Sequence, residues 1–224
     1  MKQWLGILLA VALLCACSRL PQIITDPGTA ASAFQPACRM PFPRGTWQLQ
    51  HAIDATVRGR TMGRLIGVMI LSAPGRSIQC ALMTIEGLVL FSARYDGRLT
   101  VERAVDPFDQ PGFADGLIDD LTLIFLAPET AGRFGRTADG DLICRYPHAD
   151  HQITDIVVRD PDHWIINRYN DQGRLLRRVS AEREDTAGDA GRSGIARHIT
   201  LQSRSGSDYR LELTLIEAVP IQPD

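Results

Sequence analysis

Residues Met62–Ala104 read MGRLIGVMILSAPGRSIQCALMTIEGLVLFSARYDGRLTVERA, and the pattern of this stretch decides the fold. An apolar run through Leu65, Ile66, Val68, Met69 and Ile70 ends at Ala73-Pro74-Gly75-Arg76. Ile78–Met83 returns, Leu88–Tyr95 follows, and Asp96-Gly97 precedes Leu99–Ala104. Short apolar runs between Gly, Pro and Asp signals are strands joined by hairpins, and Asp-Gly is the strongest short cue for one. The early strands are apolar on both sides, whereas an antiparallel strand normally shows one wet face. Two dry faces predict that both are covered.

The same signals extend outward. Upstream, Trp47, Leu49, His51 and Ile53 alternate with Gln48, Gln50 and Ala52. Downstream, Phe113, Leu117, Leu121 and Ile124 share one helical face, with Asp109 and Pro111 before them and Ala127-Pro128 after. Asp115, Asp119 and Asp120 fall mostly on the other side. Strands then resume at Asp141–Tyr146, Ile153–Val158, His163–Tyr169, Leu175–Ala181, His198–Ser203 and Tyr209–Glu217. Asp171-Gln172-Gly173 and Arg204-Ser205-Gly206-Ser207 are hairpin turns, and Glu182–Gly194 is a polar, Gly-rich loop. The fold class is mainly β (α+β), an antiparallel sheet of about eleven strands with a central helix. A sheet that large must curl. One helix covers only part of it, so the expected architecture is a curved half-barrel whose greasy concave side is partly lidded and filled by an apolar ligand. A plain sandwich or closed barrel packed by its own strands is the alternative.

The N-terminus sets the compartment. Lys2 precedes an apolar run from Trp4 to Ala16 that is too short to cross a bilayer, so it is a secretory signal. Leu14-Cys15-Ala16-Cys17 resembles the lipobox of bacterial lipoproteins, with Cys17 the lipidated residue because Cys15 follows the bulky Leu14. Residues 1–16 are then the signal peptide, and 17–45 a lipidated cysteine and tether carrying Pro21, Pro27, Pro36, Pro41 and Pro43. Residues 46–224 form the β domain. Two or more acyl chains anchor stably. Ser18 stands where lipoproteins kept in the inner membrane usually carry Asp, so the resemblance implies the outer membrane of a Gram-negative cell, on its periplasmic face.

Composition excludes several classes. The formal charge is −2, with no basic tail or acidic block, so nothing points to nucleic acid. Of the cysteines beyond Cys17, Cys80 lies in a strand-like apolar run and reads as a small buried hydrophobe. Cys38–Cys144 is the pairing to test first, because the segment carrying Cys38 can reach a partner. His148-Ala149-Asp150-His151 is the one cluster of metal-ligating type, and it reads as a hairpin turn lacking the third ligand that catalytic zinc needs. No nucleophile elbow, phosphate loop or dinucleotide fingerprint is present. No cofactor, metal or catalytic residue is expected, and the protein does not read as an enzyme. Asp119-Asp120 read as a solvated helix face. Arg64, Arg94 and Arg145 lie in or beside strands, where they face water or hold a lipid's polar head.

In element order, and most of all over Ser77–Val105 (SIQCALMTIEGLVLFSARYDGRLTVERAV) and the closing hairpins Trp164–Glu217, the chain resembles the LolA/LolB lipoprotein-localisation fold. It is most similar to outer-membrane lipoproteins of that fold other than LolB itself. The resemblance implies a concave face that holds an acyl chain such as palmitate, a lipid or a lipidated protein. Leu65, Met69, Leu82, Leu90, Phe113, Leu117 and Leu121 are the expected ligand-binding walls. LolB carries a protruding loop whose exposed leucine enters the membrane. The matching turn here is Thr84–Leu88, with Ile85 and Leu88 as membrane-contact residues, although Glu86 at its tip and its short length depart from that pattern. The implied partners are membrane lipid or acyl chains, with another lipoprotein or a periplasmic carrier, and the protein is expected to be monomeric. A structural or assembly subunit of an envelope complex, holding no ligand, is the alternative function.

Overall fold

The computed structural model describes residues 20–25, 31–183, 195–204 and 208–222. Cys15, Cys17 and the apolar leader lie outside them, as does most of the Glu182–Gly194 loop. The elements are α1 (Ala31–Arg39), β1 (Thr46–Val57), β2 (Arg60–Ser72), β3 (Ser77–Met83), β4 (Val89–Tyr95), β5 (Leu99–Ala104), α2 (Phe113–Phe125), β6 (Arg133–Arg136), β7 (Leu142–Pro147), β8 (Ile153–Val158), β9 (His163–Tyr169), β10 (Leu175–Glu182), β11 (His198–Ser203) and β12 (Tyr209–Ile221).

All twelve strands form one sheet in the order β5-β4-β3-β2-β1-β12-β11-β10-β9-β8-β7-β6, and every pairing is antiparallel. The chain thus makes two meanders, joined where β1 pairs with β12. β5 and β6 are the outer strands, so the connection between them has to span the sheet. That connection contains α2, which is why the helix lies across a sheet face. Register shifts interrupt β1–β12, β1–β2, β3–β4, β4–β5 and β9–β10. An extra residue on one strand bends it and increases the local twist, which curls a sheet of this width. Among the turns, Gly97 takes φ +96° in the predicted Asp96-Gly97 hairpin, a conformation that favours glycine.

The core lies on the helix side. Trp47, Leu49 and His51 of β1, Met69 and Leu71 of β2, and Trp164 and Ile166 of β9 are buried there. Alternation puts Gln48, Ile70 and Val219 on the other side. There the expectation of two covered faces fails. Ile66 and Val68 are only half-buried, and Ile70 and Val219, both paired with Gln48, are 38% and 41% exposed. Over β1, β2 and β12 the helix shields one face only, and the outer apolar residues of β2 build no second core; over β7–β9 residues 20–25 cover the outer face, where Asp155 and Tyr169 are buried.

Part of the stretch expected to be a tether is folded onto the domain. Ile24 pairs with Arg136 on β6 through two 2.9 Å backbone bonds, and the Pro21 carbonyl accepts from Arg145 Nη2 at 2.8 Å. A Cβ at Gly135 would lie 2.5 Å from the Ile24 carbonyl oxygen, so only glycine lets the two backbones meet. Residues 31–39 are helical despite Pro36, and Cys38, fully buried, is bonded to Cys144. Cys144 and Arg145 are successive residues of β7 and point to opposite faces. The N-terminal segment therefore grips β7 from both sides and covers the β6 edge, an otherwise open template for another strand.

Candidate functional site

The site is the space between α2 and the concave sheet face. α2 begins after Gly112, whose φ of +80° turns the chain into the helix, and not at Asp109 or Pro111. Phe113 fixes this end by packing edge-on against Phe91 of β4 and Phe108, each at 5.2 Å between ring centres. Further along, Leu117, Leu121, Ile124 and Phe125 face β1, β2, β3 and β12 across a cavity of about 50 Å³. Met69, Cys80, Leu82 and Leu213 line its sheet side. Only two lining side chains are polar, His51 and Asp120.

Of the seven walls expected from sequence, Met69, Leu82, Leu117 and Leu121 come together at this cavity. Phe113 anchors the helix start instead. Leu65 and Leu90 are half-buried and do not line the cavity, Leu90 because it alternates with the inward Phe91. Ile85 and Leu88 are 67% and 57% exposed at the β3–β4 turn.

The polar side of α2 departs from expectation. Asp120 is only 4% exposed. Its carboxylate accepts from Arg177 Nε and from the Tyr209 hydroxyl, and Asp119 accepts from Arg168 Nη1 at 2.7 Å. Arg168, Arg177, Ser203 and Tyr209 are successive cross-strand partners on β9, β10, β11 and β12. They form one polar row across the concave face, and the helix carboxylates dock on it. Burial pushes the Asp120 carboxyl upward while Arg177 and Tyr209 pull it down, and burial with the Asp120 charge raises the Tyr209 hydroxyl. The helix is thus held by grease on one flank and by an ionic latch on the other. Sequence reasoning missed the latch because its partners lie 49 and 57 residues away. The signal it left was Arg168 and Arg177 at inward positions of their strands.

The other arginines weighed from sequence are paired with carboxylates: Arg64 with Asp54, Arg94 with Glu102, and Arg145 with the buried Asp155. His148 Nε2 lies 2.8 Å from Thr154 Oγ1 in the β7–β8 turn, and among the described residues no group of three metal-ligating side chains converges. A larger depression, about 700 Å³, is an open groove at the far end of the sheet, lined by Arg39, Arg44, Arg76 and Glu129. It does not bury a ligand as a closed concave face can.

His51 is neutral. Burial lowers it from 6.5 to about 4. The unfolded chain therefore binds a proton that the folded one does not between these values, and stability falls as pH drops through that window. The loss is expected to reach roughly 3 kcal/mol by pH 4. Urea midpoints of the protein and of His51→Leu across pH 4–7 measure it, the variant showing a shallower acid limb.

No protein-family model matches the sequence, and no curated protein matches it. Solved structures do. A LolA superfamily protein, NE2245, from Nitrosomonas europaea aligns with a TM-score of 0.57 at 13% identity, covering 88% of this chain and 95% of that one. A putative outer membrane lipoprotein-sorting protein domain from Vibrio parahaemolyticus aligns with a TM-score of 0.53 at 8% identity, covering 84% and 90%. A wide antiparallel half-barrel with one helix laid across its concave face, matched over nearly the full length of both neighbours, is the LolA-like fold.

Proposed function

We propose that the protein is an outer-membrane lipoprotein whose concave face takes up an acyl chain, free or attached to a lipid or lipoprotein, beneath α2. One observation carries this reading: the helix over the apolar face is fastened by a latch of ion pairs beside a small apolar cavity. A core meant to stay shut needs no such arrangement, since well-packed apolar residues replace a buried ion pair at little or no loss of stability. The Vibrio neighbour, described as a lipoprotein-sorting protein domain, agrees with it. A cavity of about 50 Å³ holds no acyl chain, so uptake requires α2 to lift. No bond is broken, and affinity comes from apolar burial, about 0.8 kcal/mol per CH₂. Protein purified from cells is expected to carry extractable lipid and, once stripped, to bind a fluorescent fatty acid. Absence of both refutes the carrier role.

The location rests on Cys17. Leu20 packs over the β9–β10 turn, where a Cβ at Gly173 would lie 3.3 Å from Leu20 Cδ1. Three residues span at most about 11 Å. An acylated Cys17 therefore holds that turn close to the bilayer. The strand registers put the Ile85–Leu88 turn at the same end of the sheet. Ile85→Ser with Leu88→Ser is expected to slow transfer of a bound fluorescent acyl chain to vesicles several-fold and to leave binding in solution unchanged. Unchanged transfer rates remove this turn from the membrane contact.

The second reading, a ligand-free subunit of an envelope assembly, is favoured by the small cavity itself. It predicts a stable protein partner on pull-down and no extractable lipid.

A further inference from the structure

We infer that the ligand beneath α2 carries a neutral hydroxyl group, and that His51 is the residue that recognises it. The inference rests on the carrier reading and narrows it to a ligand class.

His51 sits where β1 shifts register against β12, between Gly67 of β2 and Leu215 of β12. It is 4% exposed, lines the apolar cavity and packs against Phe125 of the lid, ring centres 5.9 Å apart. Its Nε2 is buried with no hydrogen-bond partner among the described residues. A buried polar atom left bare is destabilising, and native structures rarely retain one without a use. At this position an apolar side chain would serve packing better, as the inward Leu49 and Ile53 of the same strand show.

The chemistry of the surroundings selects the group. The imidazole is uncharged at neutral pH, so it offers no counter-ion to a carboxylate or phosphate. Each oxygen of Asp120, the other polar lining residue, already accepts a hydrogen bond, from Arg177 and from Tyr209, and the Arg177 charge is spent on that pair rather than free for an anionic head. A plain hydrocarbon leaves Nε2 bare. A carbonyl only accepts and so suits one imidazole tautomer, whereas a hydroxyl both donates and accepts and suits either. An acyl chain hydroxylated at the depth of His51, its head group outside the lid, satisfies all of these conditions.

The test is competition for a fluorescent acyl probe on the full, delipidated protein. The competitors are methyl tetradecanoate and its hydroxylated isomers, a series that samples depth without a charged head. One isomer is expected to bind about tenfold more tightly than the parent ester, the size of one hydrogen bond. His51→Leu should erase that difference while raising the thermal midpoint of the ligand-free protein, so that unfolding does not explain the loss. His51→Gln, which can still donate and accept, should restore part of the preference. Equal binding of all the esters, as expected if the imidazole holds only a water, overturns the inference and leaves the carrier reading standing. A preference that persists in His51→Leu also overturns it. Failure of every ester to bind overturns both.

Discussion

Removing the Cys38–Cys144 bond, by reduction or as Cys38→Ala with Cys144→Ala, is expected to lower stability by about 4 kcal/mol. The bond closes a loop of 106 residues, and at this length the chain-entropy account gives nearly 5 kcal/mol. Residual order in the unfolded chain trims that figure. The loss should also be local. The bond holds α1 on the sheet, and α1 with residues 20–25 shields the β6 edge. Amides of α1 and of Ile24 and Arg136 should then lose exchange protection well before those of β1, β2 and β12. Denaturant midpoints with and without reductant, together with site-resolved hydrogen exchange, check both parts. Cys80 is the one free cysteine among the described residues, so reduction acts on a single bond there.

Asp120→Ala is expected to destabilise by about 3 kcal/mol, the range for stripping one partner from a buried pair. It leaves the Arg177 guanidinium, whose side chain is 15% exposed, without its main acceptor, and it leaves the Tyr209 hydroxyl bare. Asp119→Ala removes a carboxylate that is 42% exposed but strands Arg168, whose side chain is 12% exposed, so it should cost about 1–2 kcal/mol. The two changes will not add, since Arg177 also reaches Asp119 at 3.7 Å. Asp120→Leu with Arg177→Met should recover most of the stability, because replacing both members of a buried pair by apolar groups is close to neutral. That double variant separates the readings: it restores the fold but removes the buried half of the ionic fastening, leaving only Asp119–Arg168. Under the carrier account its stability returns while its uptake kinetics stay altered. Thermal midpoints and stopped-flow probe uptake measure the two sides.

The meander was legible because its rules are local. Period-two alternation puts Trp47, Leu49 and His51 on one face, and Asp96-Gly97 and Asp171-Gln172-Gly173 mark the turns. The helix was found from the spacing of Phe113, Leu117, Leu121 and Ile124. What stayed hidden was set by partners distant in sequence. β6 has four residues, RFGR, too few for a pattern, and exists through its pairing with β7 and Ile24. α1 was masked by prolines, although Phe34, Cys38 and Phe42 supply the apolar contacts that hold its end of the chain. Asp120 read as solvated because helical spacing cannot show that Arg177 and Tyr209 wait across the sheet. His51 shares the face of Trp47, Leu49 and Ile53 by alternation, but its lack of a partner is a property of the assembled core. The expectation of two covered sheet faces erred by treating apolar strand content as burial on both sides.

Cys80 offers the most direct test of an acyl site that opens under α2. Its thiol lines the cavity, is buried, and is pushed up to about 11 by desolvation, so it reacts only when the helix lifts. The measurement is its labelling rate by a small thiol reagent, read by peptide mass spectrometry with and without a saturating acyl ligand. The account predicts slow labelling of the free protein and several-fold slower labelling once an acyl chain fills the space beneath the helix. A rate unchanged by a ligand shown to be bound would place that ligand elsewhere and contradict the account.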